Sequence, residues 1–111
     1  MDTLNQYRQI VRNVLSEYVR LCYANGDIEN EAVFDAERDR YLIVSVGWQG
    51  ARRVHGTLVH LDIIDGKVWV QRDGTEQGVA GELVASGIPK NHIVLGFHDA
   101  DVRPHTEFAV A

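Results

Sequence analysis

HLDIIDGKVWVQ, residues 60–71, decides the fold. Asp65-Gly66 sits between two apolar runs, the strongest short-range signal for a two-residue hairpin turn. Such a turn sets the register: Ile64 opposes Lys67, Ile63 opposes Val68, Asp62 opposes Trp69, Leu61 opposes Val70, and His60 opposes Gln71. Side chains alternate across a strand, so one face collects Val59, Leu61, Ile63, Val68 and Val70. That face is core. The other face collects His60, Asp62, Trp69 and Gln71. A large aromatic among polar groups on an outward face is a candidate partner-binding surface. Two readings of Trp69 stand side by side. Either the second helix or the C-terminal tail covers it within the monomer, or it contacts a partner, a role in which Trp is enriched.

Upstream of the hairpin, Arg52 to Ile64 forms one long strand with a slip in its apolar phase. Val54 and Leu58 are even-numbered, whereas Val59, Leu61 and Ile63 are odd, so the strand needs a bulge, and Gly56 is the expected place. Before it, Tyr41 to Trp48 is an apolar run expected to be covered on both faces, with Trp48 in the core. Gln49-Gly50-Ala51 and Glu37-Arg38-Asp39 turn the chain, and Glu29 to Ala36 is a further short strand. At the start, Leu4, Tyr7, Val11, Val14, Leu15, Tyr18 and Cys22 follow helical spacing. The spacing predicts a helix from about Leu4 to Tyr23, opened by a Thr3–Gln6 capping box and closed at Asn25-Gly26.

Downstream, Asp73-Gly74 turns into a second helix over about Glu76 to Ser86, capped by Thr75, with Val79, Ala80, Leu83 and Val84 as its buried stripe. Gly87 and Pro89 stop it. Gly78 and Gly81 are expected to let this helix lie close to the sheet. Ile93 to Phe97 is a short strand or extended segment, and the apolar ending FAVA (Phe108 to Ala111) suggests a docked tail rather than a frayed one. The fold class is α+β in a single domain, residues 1–111: an N-terminal helix, a four-stranded antiparallel meander sheet, a second helix and a short C-terminal extended segment. Both helices are expected on one face. The other face and an uncovered edge would favour a homodimer.

Composition narrows the function. The 111 residues are 45% hydrophobic and 24% charged, which suits one core and not two. No stretch approaches the roughly 20 apolar residues of a membrane span, and no signal peptide precedes the first helix, so a cytoplasmic location is expected. Cys22 is the sole cysteine, lies on the buried stripe of the first helix, and rules out an internal disulfide. The net charge is −5, with 16 acidic residues against 11 basic ones. Duplex affinity comes largely from Lys and Arg neutralising phosphates, and Arg52-Arg53 is the only adjacent basic pair. Those two are the candidate DNA contacts. The composition favours action through another protein.

No residue set announces catalysis. Gly74, Gly78 and Gly81 match neither a dinucleotide fingerprint nor a P-loop. Ser16, Ser45 and Ser86 lack an elbow motif, and Asp35, Glu37 and Asp39 read as a solvated turn. His98, Asp99, Asp101 and His105 share one polar loop, but their spacing matches no established metal site, so no metal or cofactor is expected. His98, Asp101 and Arg103 form a candidate anion-recognition corner; alternatively, Arg103 pairs with Asp99 or Asp101 and fixes the loop.

The chain resembles the XisI family, controlling factors for excision of the fdxN DNA element in cyanobacteria. The resemblance runs through LNQYRQIVRNVLSEY (4–18), GDIENEAVFDAERDRYLIVSVGWQGARRVHG (26–56), HLDIIDGKVWVQRDGTEQGVAGELV (60–84), IPKNHIVLGFH (88–98) and VRPHTEFAVA (102–111). The specific pieces are FDAERDRY, VGW, the LDI-DGKVW hairpin, DGTE, VLGFH and the closing FAVA, and their order carries the match. The loop at His98 to Asp101 departs from the pattern by lacking prolines. The resemblance implies a non-catalytic accessory factor in site-specific excision, working beside a recombinase. Its implied partner is XisH, which looks like a nuclease-fold protein.

Overall fold

Turn chemistry and alternation build the sheet as the hairpin requires. In this computed structural model, residues 3–21 and 27–111 are described, with the side chain of Leu21 excepted. Helix α1 (Thr3–Leu21) is followed by β1 (Asp27–Asp35), β2 (Arg40–Gln49), β3 (Arg52–Ile64) and β4 (Lys67–Asp73). Helix α2 (Val79–Ala85) leads to β5 (Ile93–Leu95). Single 3₁₀ turns occupy Lys90–His92 and Arg103–His105. The expected Asn25-Gly26 helix stop and Cys22 lie outside the described residues.

The sheet order is β1-β2-β3-β4-β5. The first four strands form the expected antiparallel meander. Asp65 and Gly66 both take positive φ, 51° and 78°, which a tight hairpin turn of the mirror-image type requires. The C-terminal extended segment adds a fifth strand. It runs parallel to β4, pairing Val68 with Ile93, Trp69 with Val94 and Val70 with Leu95. A parallel neighbour needs a crossover, and α2 supplies it. Gly87, at φ 117°, ends α2 in a left-handed cap: Gly87 N–H donates to Val84 O and Ile88 N–H to Leu83 O. Ile88 is buried there.

Both helices pack on one face of the sheet. Tyr7, Val11 and Leu15 recur every four residues on α1 and meet Tyr41, Ile43, Val59, Leu61, Val68 and Val70, with Val79 and Leu83 from α2 closing the cluster. The tail docks as expected. Ala109 N–H donates to Ile93 O, Ala109 bridges to Val94, and Phe108 packs against the core. Val94 is fully buried.

Several local expectations are corrected. The bulge falls at Leu58, not Gly56: Ile43 pairs with Val59 and Val44 with Thr57, so Leu58 is the extra residue. Its carbonyl turns to accept Gly74 N–H, while Gly56 pairs regularly with Ser45. A second bulge at Gln71 makes His60 oppose Arg72. Trp48 is not core; it is 48% exposed, because it shares the helix-free face with Val44 and Val46. Strand β2 is therefore buried on one face only, with Leu42, Val44 and Val46 half-exposed on the other. The second helix starts at Val79, not Glu76. Asp73 takes the capping role expected of Thr75: its carboxylate accepts Val79 N–H, while Thr75 Oγ1 accepts Gly78 N–H. Gly78 and Gly81 do not serve close packing, since a Cβ at either would meet open space. The close approach is at Gly74, where a Cβ would come within 2.8 Å of Leu58.

Candidate functional site

The helix-free face is where strand alternation, having exhausted the apolar residues the core needs, leaves mixed chemistry exposed. Near its β3–β4 end, Asp62 is buried, at 8% exposure, and each carboxylate oxygen has a partner. His60 Nε2 lies 2.9 Å from Oδ1, Gln71 Nε2 donates to Oδ2 at 3.3 Å, and Arg40 Nε stands 3.9 Å from Oδ1. The Gln71 bulge keeps that side chain in reach of Asp62. Trp69 pairs with Asp62 across the strands and stays half-buried. His60, Asp62, Trp69 and Gln71 are thus brought together on the face that alternation implied, although His60 opposes Arg72 and not Gln71.

The C-terminal segment covers Trp69 in part. The Arg103 guanidinium lies 5.2 Å from the indole ring, a cation–π distance. A Cβ at Gly96 would come within 3.0 Å of the same ring. Arg103 also donates to His98 O at 3.1 Å and Val110 O at 3.4 Å, so one side chain ties loop, tail and tryptophan together. Among the described residues no ion pair joins Arg103 to Asp99 or Asp101. Asp101 instead donates its backbone N–H to Asp99 Oδ1, and the His98 ring rests on Phe97. Of the three residues His98, Asp101 and Arg103, Arg103 fastens the tail through the carbonyls of His98 and Val110. Among the described residues, no group of three or more His, Cys, Asp and Glu side chains has metal-holding geometry.

Arg53 lies at the opposite end of the same face, opposite Trp48, while Arg52 pairs with Gln49 and alternates to the other side. Arg53 stacks 5.2 Å from the Trp48 ring and donates to Gly47 O, while Arg52 is exposed. The Leu58 bulge also brings His55 and His60 onto one face, opposite Val46 and Leu42. On the helix side, a cleft of about 720 Å³ opens between α1 and the β4–α2 loop. Leu15, Val59 and Val79 form its apolar floor, and Glu17, Glu76 and Glu82 line it.

Sequence reasoning missed two polar pairs. Asp39 is not part of a solvated acidic turn. Arg8 forks onto it through Nε and Nη2 at 2.8 and 3.0 Å, and Tyr41 donates its hydroxyl at 3.0 Å. The Arg8 hydrogen bond holds the Asp39 carboxyl below its ordinary pKa, while burial raises that of Tyr41. Asp35 caps the turn by accepting the N–H groups of Glu37 and Arg38, and Glu37 is exposed there as expected. Second, Tyr7 Oη lies 2.5 Å from His92 Nδ1, and burial raises the Tyr7 pKa. Nothing in local spacing joins residues 31 or 85 positions apart.

Comparison with known proteins agrees with this architecture. Residues 1–110 match the family model described as XisI protein. No curated protein matches the chain. The crystal structure of a XisI-like protein from Anabaena variabilis ATCC 29413 superposes with a TM-score of 0.90 at 37% identity, covering 97% of this chain and 99% of that one. The fdxN element excision controlling factor XisI from Anabaena variabilis ATCC 29413 superposes with a TM-score of 0.85 at 35% identity, covering 99% of this chain and 100% of the other.

Proposed function

The chain belongs to the XisI family, and from that premise we propose that it is a non-catalytic controlling factor for excision of a DNA element, acting through a protein partner rather than on DNA. The observation that carries this reading is the Asp62 cluster on the helix-free face. A buried carboxylate held by His60 and Gln71, next to a half-buried Trp69, is a rigid polar–aromatic patch. Rigid aromatic anchors set among satisfied polar groups are what protein interfaces use. The net charge of −5 opposes a phosphate-binding role, and Arg53 is already engaged by Trp48 and Gly47.

The partner proposed is an XisH-like protein, with a recombinase as a further member of the assembly. Pull-down of a co-expressed XisH-like protein tests this. His60→Ala and Trp69→Ala, each confirmed folded by its melting curve, are expected to lose the association. Retention by both would show that the patch is the wrong surface. A gel shift at low salt is expected to show no duplex binding. Salt-sensitive binding that disappears on changing Arg52 and Arg53 to Ala would instead favour direct DNA contact.

A further inference from the structure

Strands β1 to β3 carry a second pattern on the helix-free face. Cross-strand partners there form level rows: Asp27–Trp48–Arg53, Glu29–Val46–His55, Glu31–Val44–Thr57 and Val33–Leu42–His60. The β1 column is acidic at three of four levels. The β2 column is apolar over these four levels and ends in Arg40, which lies between Asp35 and Asp62 at the next one. The β3 column carries Arg53 and His55, and Arg72 reaches over Thr57 by donating from Nε to its carbonyl at 2.7 Å. Val33 and Trp48 are 46% and 48% exposed, and among the described residues no helix packs on this side.

We infer that this face is the interface of a homodimer, in which the β1–β3 faces of two copies stack about a twofold axis running along β2. Such an axis keeps each residue at its own level while exchanging the outer columns. Asp27 then faces Arg53 of the second copy, Glu29 faces its His55, and Glu31 faces its Arg72 above Thr57. Each contact occurs twice by symmetry. Along the axis, Leu42, Val44, Val46 and Trp48 form the apolar centre, with charges at the rim, the usual interface anatomy. Aligned stacking of two sheets at roughly −30° is a standard arrangement.

The charges also select this axis over its alternatives. A twofold axis across the strands would lay the β1 column over itself, with Glu29 and Glu31 against like charges. Edge-to-edge pairing of β1 with its copy would do the same, and like charges directly opposed destabilise strand pairs. Both cationic groups of the β3 side are held in place, Arg53 by Trp48 and Arg72 by Thr57. The overlap takes in β3 and the Arg72 side chain but not Trp69 or Gln71; His60, at its last level, borders both surfaces, and the dimer rests on the charges of Asp27, Glu29, Glu31, Arg53 and Arg72 rather than on the partner reading above.

Sedimentation of the full chain tests the inference. At ~100 µM, where a micromolar complex is assembled, twice the chain mass is expected, and a monomer would overturn the proposal. Glu29→Arg with Glu31→Arg, and separately Arg53→Glu with Arg72→Glu, are each expected to give monomers. An equimolar mixture of the two variants restores every opposite-charge contact and is expected to sediment as a dimer again. Variants that remain dimeric alone, or a mixture that stays monomeric, would overturn it. Should either double variant fail to melt cooperatively, the wild-type dimer is titrated with salt. Its dissociation constant is expected to rise at least several-fold, and salt-independent dimerisation would overturn the charge pairing.

Discussion

The two faces of one sheet differ in what they ask of the chain. On the helix side, Tyr41, Ile43, Val59, Leu61, Val68 and Val70 are fully buried against α1 and α2. On the other side the same strands present half-exposed valines, an exposed Trp48 and columns of opposite charge. The first face holds the monomer together. The second is left largely exposed along β1 to β3 and is closed only near Trp69, by the C-terminal segment. Charges on β1 add a further effect, since an acidic edge strand resists uncontrolled pairing.

The contrast can be broken by substitution. Leu61→Ala on the helix side is expected to lose about 2–5 kcal/mol of unfolding free energy, read from urea denaturation. A loss below ~1 kcal/mol would mean that the buried cluster is looser than its zero exposure implies. Truncation before Phe108 is expected to cost roughly 1.5–3 kcal/mol, because it uncovers Val94 and removes Phe108 from the core. A truncated chain melting with the full one would remove the docked tail from the account. Val110→Ala, at a 52% exposed position, should by contrast melt almost unchanged.

Asp39→Asn sharpens the comparison at the rim of the core. It keeps an amide tolerant of the positive φ of 52° while removing the charge that Arg8 and Tyr41 hold, at an expected cost of about 1–2 kcal/mol. Its folded pKa is depressed, so this contribution is present above the unfolded value near 4 and disappears as pH falls through the folded one. The wild-type protein should therefore lose stability more steeply than Asp39→Asn below about pH 4. Parallel acid melts of the two proteins would refute the pairing. The smallest effect belongs to the helix-free face: Trp48→Ala should change stability by no more than about 0.5 kcal/mol, checked by urea denaturation of a dilute sample.

Much of this was readable locally. The Asp65-Gly66 turn, four of the five expected cross-strand pairs, the ends of β3 and the α1 stripe all follow from neighbours in sequence. The candidate residues His60, Asp62, Trp69 and Gln71 were also placed on one face by alternation. Errors arose where a distant segment sets the outcome. Gly56 looked like a bulge because glycine permits one, but the bulge sits at Leu58, whose carbonyl serves Gly74 sixteen positions on. Trp48 looked like core because it ends an apolar strand, but its phase places it away from α1. Arg103 looked ready to pair with the acids beside it, yet it reaches the carbonyls of His98 and Val110 and stacks on Trp69.

The sequence alone determined which residues alternate, where the chain reverses and which stripe each helix buries, because these depend on steric and hydrogen-bonding preferences within a few residues. Only the tertiary structure decided that β5 joins β4 in parallel, that Asp39 is held by a helix 31 residues away, and that Trp69 lies under Arg103. Each of those depends on which backbone groups and charges are left unsatisfied when separate elements meet, and no local pattern records that.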